Sequence, residues 1–164
     1  MKRFLAVLAV TAVATLLSVP SPAQTLYTAH LDGWQVVPAR ETPGYGTGSI
    51  ALFADNSALI SLNFYHLLGD ETAAGLFGPA PRGGTANLLY TLPLGQFSDF
   101  KLTLTGEEVG YLTDGLLYFK VNTTRFPGGE IRGQVDNVPE PGAGALLLAG
   151  LLPLAGMALR PRRG

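Results

Sequence analysis

Ala58-Leu59-Ile60-Ser61-Leu62-Asn63-Phe64-Tyr65-His66-Leu67 alternates apolar with polar side chains, Ile60, Leu62 and Phe64 against Ser61, Asn63 and Tyr65. Successive side chains of a strand point to opposite faces, so this period of two predicts a strand with one buried and one wet face. The pattern recurs on either side. Leu102 and Leu104 alternate with Lys101, Thr103 and Thr105, and Leu117, Phe119 and Val121 alternate with Tyr118, Lys120 and Asn122. Strands are therefore expected near Leu26 to Asp32, Gly46 to Ala54, Ala58 to Leu67, Thr85 to Leu92, Phe100 to Thr105, Leu116 to Thr123 and Glu130 to Val135. Asp55-Asn56-Ser57 supplies a hairpin turn. Gly106 to Gly115 breaks the alternation and predicts a turn of helix, with Glu107 and Glu108 in its first turn and Gly115 ending it. Short strands, spaced turns and no long helix predict an all-β fold. The expected form is an antiparallel Greek-key β-sandwich, immunoglobulin-like, of about seven to eight strands, flanked by an N-terminal signal helix and a C-terminal hydrophobic helix.

The flanks carry their own signals. Lys2-Arg3, an apolar or small run from Phe4 to Val19, and the small residues Ser21 and Ala23 form a secretory signal pattern over residues 1–23, with cleavage expected between Ala23 and Gln24. A transmembrane anchor or a core helix is the alternative, disfavoured by the short run and the small-residue site. At the other end, residues 138–164 begin with Val138-Pro139-Glu140-Pro141, which the two prolines hold extended. An uncharged Leu-, Ala- and Gly-rich stretch, Gly142 to Leu159, follows, and Arg160, Arg162 and Arg163 close the chain. As a helix the stretch covers about 27 Å at 1.5 Å per residue, enough to cross a hydrocarbon core, with the arginines on the cytoplasmic side.

Gln24 to Asn137 leaves room for one domain. Six Lys and Arg against eleven Asp and Glu give that stretch a net charge of −5, which argues against nucleic acid or anionic lipid as a partner. The chain has no cysteine, which excludes thiol catalysis and thiolate metal sites. Its two histidines, His30 and His66, lack a paired metal-ligand spacing and read as solvent-facing. Asp70-Glu71 and Glu107-Glu108 read as solvated charge, and Asn122-Thr123-Thr124 as an accidental glycosylation sequon. Gly75 to Gly84 reads as a glycine-rich surface loop, and Trp34, beside an opening turn, as a residue packed into the core, with sugar stacking as the alternative.

Two resemblances sharpen this picture. The order Pro139-Glu140-Pro141, apolar span and arginine cluster resembles the PEP-CTERM sorting signal of Gram-negative bacteria. That resemblance implies recognition and tail removal by exosortase, an integral-membrane transpeptidase, with a permanent membrane anchor as the alternative. Second, Pro127-Gly128-Gly129-Glu130-Ile131-Arg132-Gly133-Gln134 resembles the closing motif of the CHRD domain family. Gly33-Trp34-Gln35-Val36-Val37-Pro38, Thr42-Pro43 and Gly46-Thr47-Gly48 fit that family's opening segment, and Thr72 to Ala80 its middle motif. The resemblance also marks departures. Family histidines are replaced by Gly75, Phe77 and Asn122, and a family glutamate by Val36, so the positions best suited to metal binding or proton transfer are lost. What remains reads as structural: a turn at Pro127-Gly128-Gly129, then Glu130 and Arg132 on one strand face, able to pair with each other or with a neighbouring strand.

The expectation is thus a non-enzymatic exported protein without a cofactor or metal. It would be processed by signal peptidase and exosortase, would pass through the inner membrane by its C-terminal helix, and would reach the cell surface or extracellular matrix. PEP-CTERM resemblance implies exopolysaccharide or other surface proteins as partners. The alternatives are an enzyme using carboxylates that sequence cannot assign, and a small-ligand carrier with an apolar cavity between its sheets.

Overall fold

The computed structural model describes residues 24–137. The expected signal segment with Ala23, and the expected sorting tail with Pro139, Glu140, Pro141, Arg160, Arg162 and Arg163, lie outside the described residues, and so do the positions of both expected terminal helices. Among the described residues no helix is long and apolar enough to cross a membrane.

The described chain forms, in order, β1 (Gln24–Asp32), β2 (Tyr45–Phe53), β3 (Ser57–Tyr65), β4 (Glu71–Phe77), β5 (Leu88–Leu92), β6 (Phe97–Thr103), α1 (Gly106–Thr113), β7 (Tyr118–Thr123), β8 (Ile131–Gln134) and β9 (Asp136–Asn137). All pairings are antiparallel, so the all-β antiparallel class is as expected. Instead of two separate sheets, however, hydrogen bonding follows one path, β5-β4-β7-β8-β1-β2-β3-β6, with β9 added against β1. The path is thin at its middle. A single residue pair, Asp32 with Arg132, joins β1 to β8. There the sheet curls so that its two halves, β5-β4-β7-β8 and β1-β2-β3-β6, face each other across one core.

Two glycines permit the curl. A Cβ on Gly48 of β2 would lie 2.5 Å from the ring of Phe119 on β7, three strands away along the path, so the missing side chain is what lets that ring settle over the opposite half. A Cβ on Gly133 of β8 would lie 2.6 Å from the His30 carbonyl oxygen, so β8 can approach β1 closely only without one. Phe119, Leu31, Ile50, Ile60, Leu62, Leu76, Leu117, Val121 and Ile131 are fully buried between the halves, with Leu112 of α1 closing one end. Full burial of one such side chain contributes about 1.5–3 kcal/mol.

Local chemistry accounts for the breaks between strands. Asn56 takes a left-handed conformation, φ 62°, in the β2–β3 turn, where Asp55 Oδ1 accepts from the Ser57 amide at 3.0 Å and its hydroxyl at 2.6 Å. Helix α1 starts with a capping box: the Thr105 hydroxyl accepts from the Glu108 amide, and the Glu108 carboxylate accepts from the Thr105 amide. Gly115, φ +68°, follows its end.

One strand departs from expectation. Gly75 to Phe77 belong to β4, a central strand between β5 and β7, and not to a surface loop. Small residues explain the misreading. Ala73, Ala74 and Gly75 give no alternation, yet a Cβ on Gly75 would sit 2.4 Å from the Leu88 side chain of β5, so its outer side is already covered. The loop proper runs from Gly78 to Asn87.

Candidate functional site

The outward-facing residues of β8 are those of the closing motif. Glu130 immediately precedes β8, and by alternation Arg132 and Gln134 point away from the core, where a single-layered sheet would leave them wet. Glu130, Arg132 and Gln134 are instead 0 %, 2 % and 2 % exposed, because the opening segment Gly33 to Gly44 and the loop Gly78 to Asn87 fold over this half of the sheet.

Glu130 follows the Pro127-Gly128-Gly129 turn, in which Gly129 has φ +124° and donates to the Phe126 carbonyl at 3.0 Å. Its Oε1 accepts from the Thr42 hydroxyl and the Leu68 amide, both at 2.6 Å, and its Oε2 accepts from the Thr123 hydroxyl at 2.7 Å. No ion pair engages it among the described residues, so three donors carry the stabilisation of a buried carboxylate. The geometry does not pair Glu130 with Arg132. The Arg132 guanidinium lies 3.6 Å from the centre of the Tyr118 ring and donates to the Gly84 carbonyl at 2.5 Å, the Gln134 Oε1 at 3.0 Å and the Pro81 carbonyl at 3.4 Å. Gln134 donates to the Ala80 and Gly115 carbonyls at 2.9 and 2.8 Å. Each motif side chain therefore ties a covering loop to the sheet. Ile131, between them, points into the core, and Gly133 makes the β8–β1 approach.

The lost family positions also gather on this covered face. Gly75 pairs with Lys120, and Ala73 with Asn122, across β4 and β7, while Phe77 stacks on Tyr118 at 5.4 Å between ring centres. Val36 comes in from the opening segment, 3.5 Å from the Cβ position of Gly129, which also touches the Lys120 stem. Where the resemblance would have histidines, the chain places Lys120 Nζ 4.3 Å from the centre of the Phe77 ring. Burial, and then the Arg132 charge, hold the Lys120 ammonium below its ordinary pKa. No group of three or more His, Asp or Glu side chains able to hold a metal ion occurs among the described residues.

Over the motif opens a cleft of about 210 Å³ lined by Trp34, Gln35, Val37, Arg82, Gly83, Arg132 and Gln134. Gln35 forms its floor, donating to the His30 carbonyl at 2.7 Å and to Asp32 Oδ2 at 3.1 Å, and accepting from the Gln134 amide at 3.0 Å. Arg82 forms an exposed ion pair with Asp136 at the rim. Trp34 is 74 % exposed, which corrects the expectation that it packs into the core. It belongs to the opening turn, in which the Gly33 carbonyl accepts from the Val36 and Arg40 amides, and that turn directs the indole outward.

The acidic pairs divide. Asp70 is exposed, whereas Glu71 is partly buried, accepts from the Gly95 amide, and has a pKa pushed up by that burial. Glu107 accepts from the Tyr111 hydroxyl, and Glu108 serves the helix cap and the Tyr90 hydroxyl. Both histidines are exposed. Gln24, on the mature side of the expected cleavage, begins β1.

The arrangement defines a class: a curled antiparallel β domain whose polar closing motif locks two loops onto one half of the sheet. Residues 27–135 match the family model of the CHRD domain, and the chain belongs to that family. No curated protein and no solved structure matches it.

Proposed function

We propose that this is a non-enzymatic exported protein of the cell surface or extracellular matrix, whose β domain binds extracellular polymer or other surface proteins. The observation that carries this reading is the commitment of the motif: among the described residues Glu130, Arg132 and Gln134 spend their polar atoms on carbonyls, amides and hydroxyls of the fold, so the motif itself offers a substrate neither a free acid nor a free base. Loops held this firmly present a rigid surface, with Trp34 at its rim. In the same reading the ends of the chain direct export. The segment up to Ala23 is removed by signal peptidase. Pro139-Glu140-Pro141, the apolar span and Arg160, Arg162 and Arg163 form a PEP-CTERM signal that holds the chain in the inner membrane until an exosortase-type transpeptidase releases it.

The reading also takes the crossovers from β3 to β4, β5 to β6 and β6 to β7 as the Greek-key element of an immunoglobulin-like sandwich, with the two halves of the curled sheet as its layers. A carrier would need an apolar cavity between those halves, and the Phe119 ring over Gly48 fills the space instead. An enzyme using paired carboxylates would need two acids facing each other across one cleft, whereas Glu71 meets the Gly95 amide and Glu130 meets Thr42, Leu68 and Thr123.

The test is the intact mass of the protein in separated inner-membrane, outer-surface and medium fractions of its host. The expected species starts at Gln24, lacks the tail and lies outside the inner membrane. A species that keeps residues 142–164 in the inner membrane overturns the sorting reading.

A further inference from the structure

We infer that the open outer face of β1, β2 and β3 is a binding face for an uncharged polysaccharide; this rests on the reading of the protein as a binder of extracellular polymer and names the chemistry of that polymer. The two halves of the sheet differ in what lies outside them. Loops cover β4, β7 and β8, whereas the outer side of β1, β2 and β3 opens into a groove of about 380 Å³. Two rungs of paired residues line it: Thr28, Ser49 and Ser61, then His30, Thr47 and Asn63. Strands about 4.8 Å apart, and rungs about 7 Å apart along them, set these side chains in a shallow grid.

The chemistry of the grid is selective. It holds hydroxyls, an amide and an imidazole, but no carboxylate, ammonium or guanidinium. An ordinary solvated strand face carries many Lys, Glu and Arg residues. Among the described residues the side chains of Thr28, His30, Thr47, Ser49 and Asn63 have no hydrogen-bond partner, and Ser61 only accepts, from the Asp99 amide at 3.1 Å. One rung further on the same face stand Asp32, whose carboxylate accepts from the Gln35 amide and side chain, and Tyr45 and Tyr65, paired across β2 and β3 with ring centres 5.6 Å apart. The two tyrosines are 44 % and 48 % exposed. His66 extends the aromatic end, 5.6 Å from Tyr45.

A sugar ring has two apolar C–H faces and a rim of hydroxyls that both donate and accept. Exposed tyrosine rings offer a surface for the first, and unpaired hydroxyl and amide groups offer partners for the second. Charge decides between polymers. A groove lined by no Lys or Arg, with Asp32 on the adjoining rung and a domain net charge of −5, gives an acidic polysaccharide no counter-ion and a repulsive field, whereas a neutral one meets neither penalty.

The test is affinity electrophoresis of the whole protein, purified from its host, through gels containing hydroxyethylcellulose, mannan or alginate. Migration is expected to slow in a neutral gel and not in alginate. The double substitution Y45A/Y65A, at exposed positions, is expected to weaken the effect about tenfold or more. T47E, which places a charge in the groove without touching the aromatic pair, is expected to weaken it comparably. Normal migration in both neutral gels overturns the inference, as does retardation that neither variant changes, or retardation in alginate that equals that in the neutral gels. These outcomes are separable from the sorting test. A tail-processed surface protein that ignores both neutral polymers removes the binding face alone, and a glycan-binding protein retained whole in the inner membrane removes the sorting alone.

Discussion

Glu130 is a carboxylate buried with three hydrogen-bond donors around it and, among the described residues, no cation in an ion pair with it. Removing it strands the Leu68 amide and the Thr42 and Thr123 hydroxyls at once. Unsatisfied buried groups cost about 1–3 kcal/mol each, partly relieved by relaxation and water entry, so E130A is expected to lose about 3 kcal/mol or more. E130Q keeps the shape and one acceptor, and a hydroxyl can turn to receive its new N–H, so about half that loss is expected. Urea denaturation of the two variants checks both figures, and near-equal stability of E130A and wild type would show that the carboxylate holds nothing. Sequence alone predicts Glu130 and Arg132 on one strand face, because alternation is local. It does not make the burial of Glu130, Arg132 and Gln134 visible. That burial comes from Thr42, Leu68, Ala80 and Gly84, which lie about fifty to ninety residues away, and no periodicity of the strand encodes them. Trp34 fails in the opposite direction: its apolar area suggests a core, whereas the turn held by the Gly33 carbonyl sends it outward.

At the scale of elements, a strand is legible where one of its faces is wet. Ile60, Leu62 and Phe64 against Ser61, Asn63 and Tyr65 announce β3, and Glu107 and Glu108 with Gly115 announce α1, while its capping Thr105 reads as the end of a strand. Strand β4 is silent, because Ala73, Ala74 and Gly75 are too small to mark either face and β5 covers the outer one. Pairing across the core is silent too. Nothing near Gly48 in sequence indicates that Phe119 will lie on it, yet the absent Cβ is what the curl requires. G48A sets a methyl 2.5 Å from that ring, and both groups sit in packed surroundings, so overpacking of about 1–3 kcal/mol is expected. Shortening the opposing ring leaves a cavity of its own, but it removes the clash. The double variant G48A/F119L should therefore be more stable than the sum of the two single losses predicts. A thermal-denaturation cycle measures that coupling, and strict additivity would mean that the halves do not meet at these residues.

For the molecule as a whole, the question is what keeps a curled sheet from opening. Its end strands, β5 and β6, do not pair with each other, so the path leaves two edges. One side chain bridges them. The Tyr90 hydroxyl, on β5, donates to the Glu108 carboxylate at 2.7 Å and lies 3.2 Å from the Thr103 carbonyl oxygen at the end of β6. The capping box fixes Glu108 in turn, so helix α1 acts as a clasp across the open side. Burial, then the neighbouring Glu108 carboxylate, pushes the Tyr90 pKa up from 10.0 to about 12. Because the folded protein holds this proton more tightly than the unfolded chain, the associated stability is fully present below pH 10. It is lost as pH rises through about 12, since the unfolded chain ionises first and is favoured in that interval. Y90F removes the clasp and its titration together. At pH 8 it is expected to be less stable by about 1 kcal/mol, the net worth of a hydrogen bond. Between pH 10 and 12 the wild type should fall toward the variant until their stabilities converge. Urea midpoints of both proteins across that range decide it. A difference that stays constant to pH 12 would mean that the hydroxyl ionises alike in both states, and the closure would then have to rest on the Phe119 contact in the core.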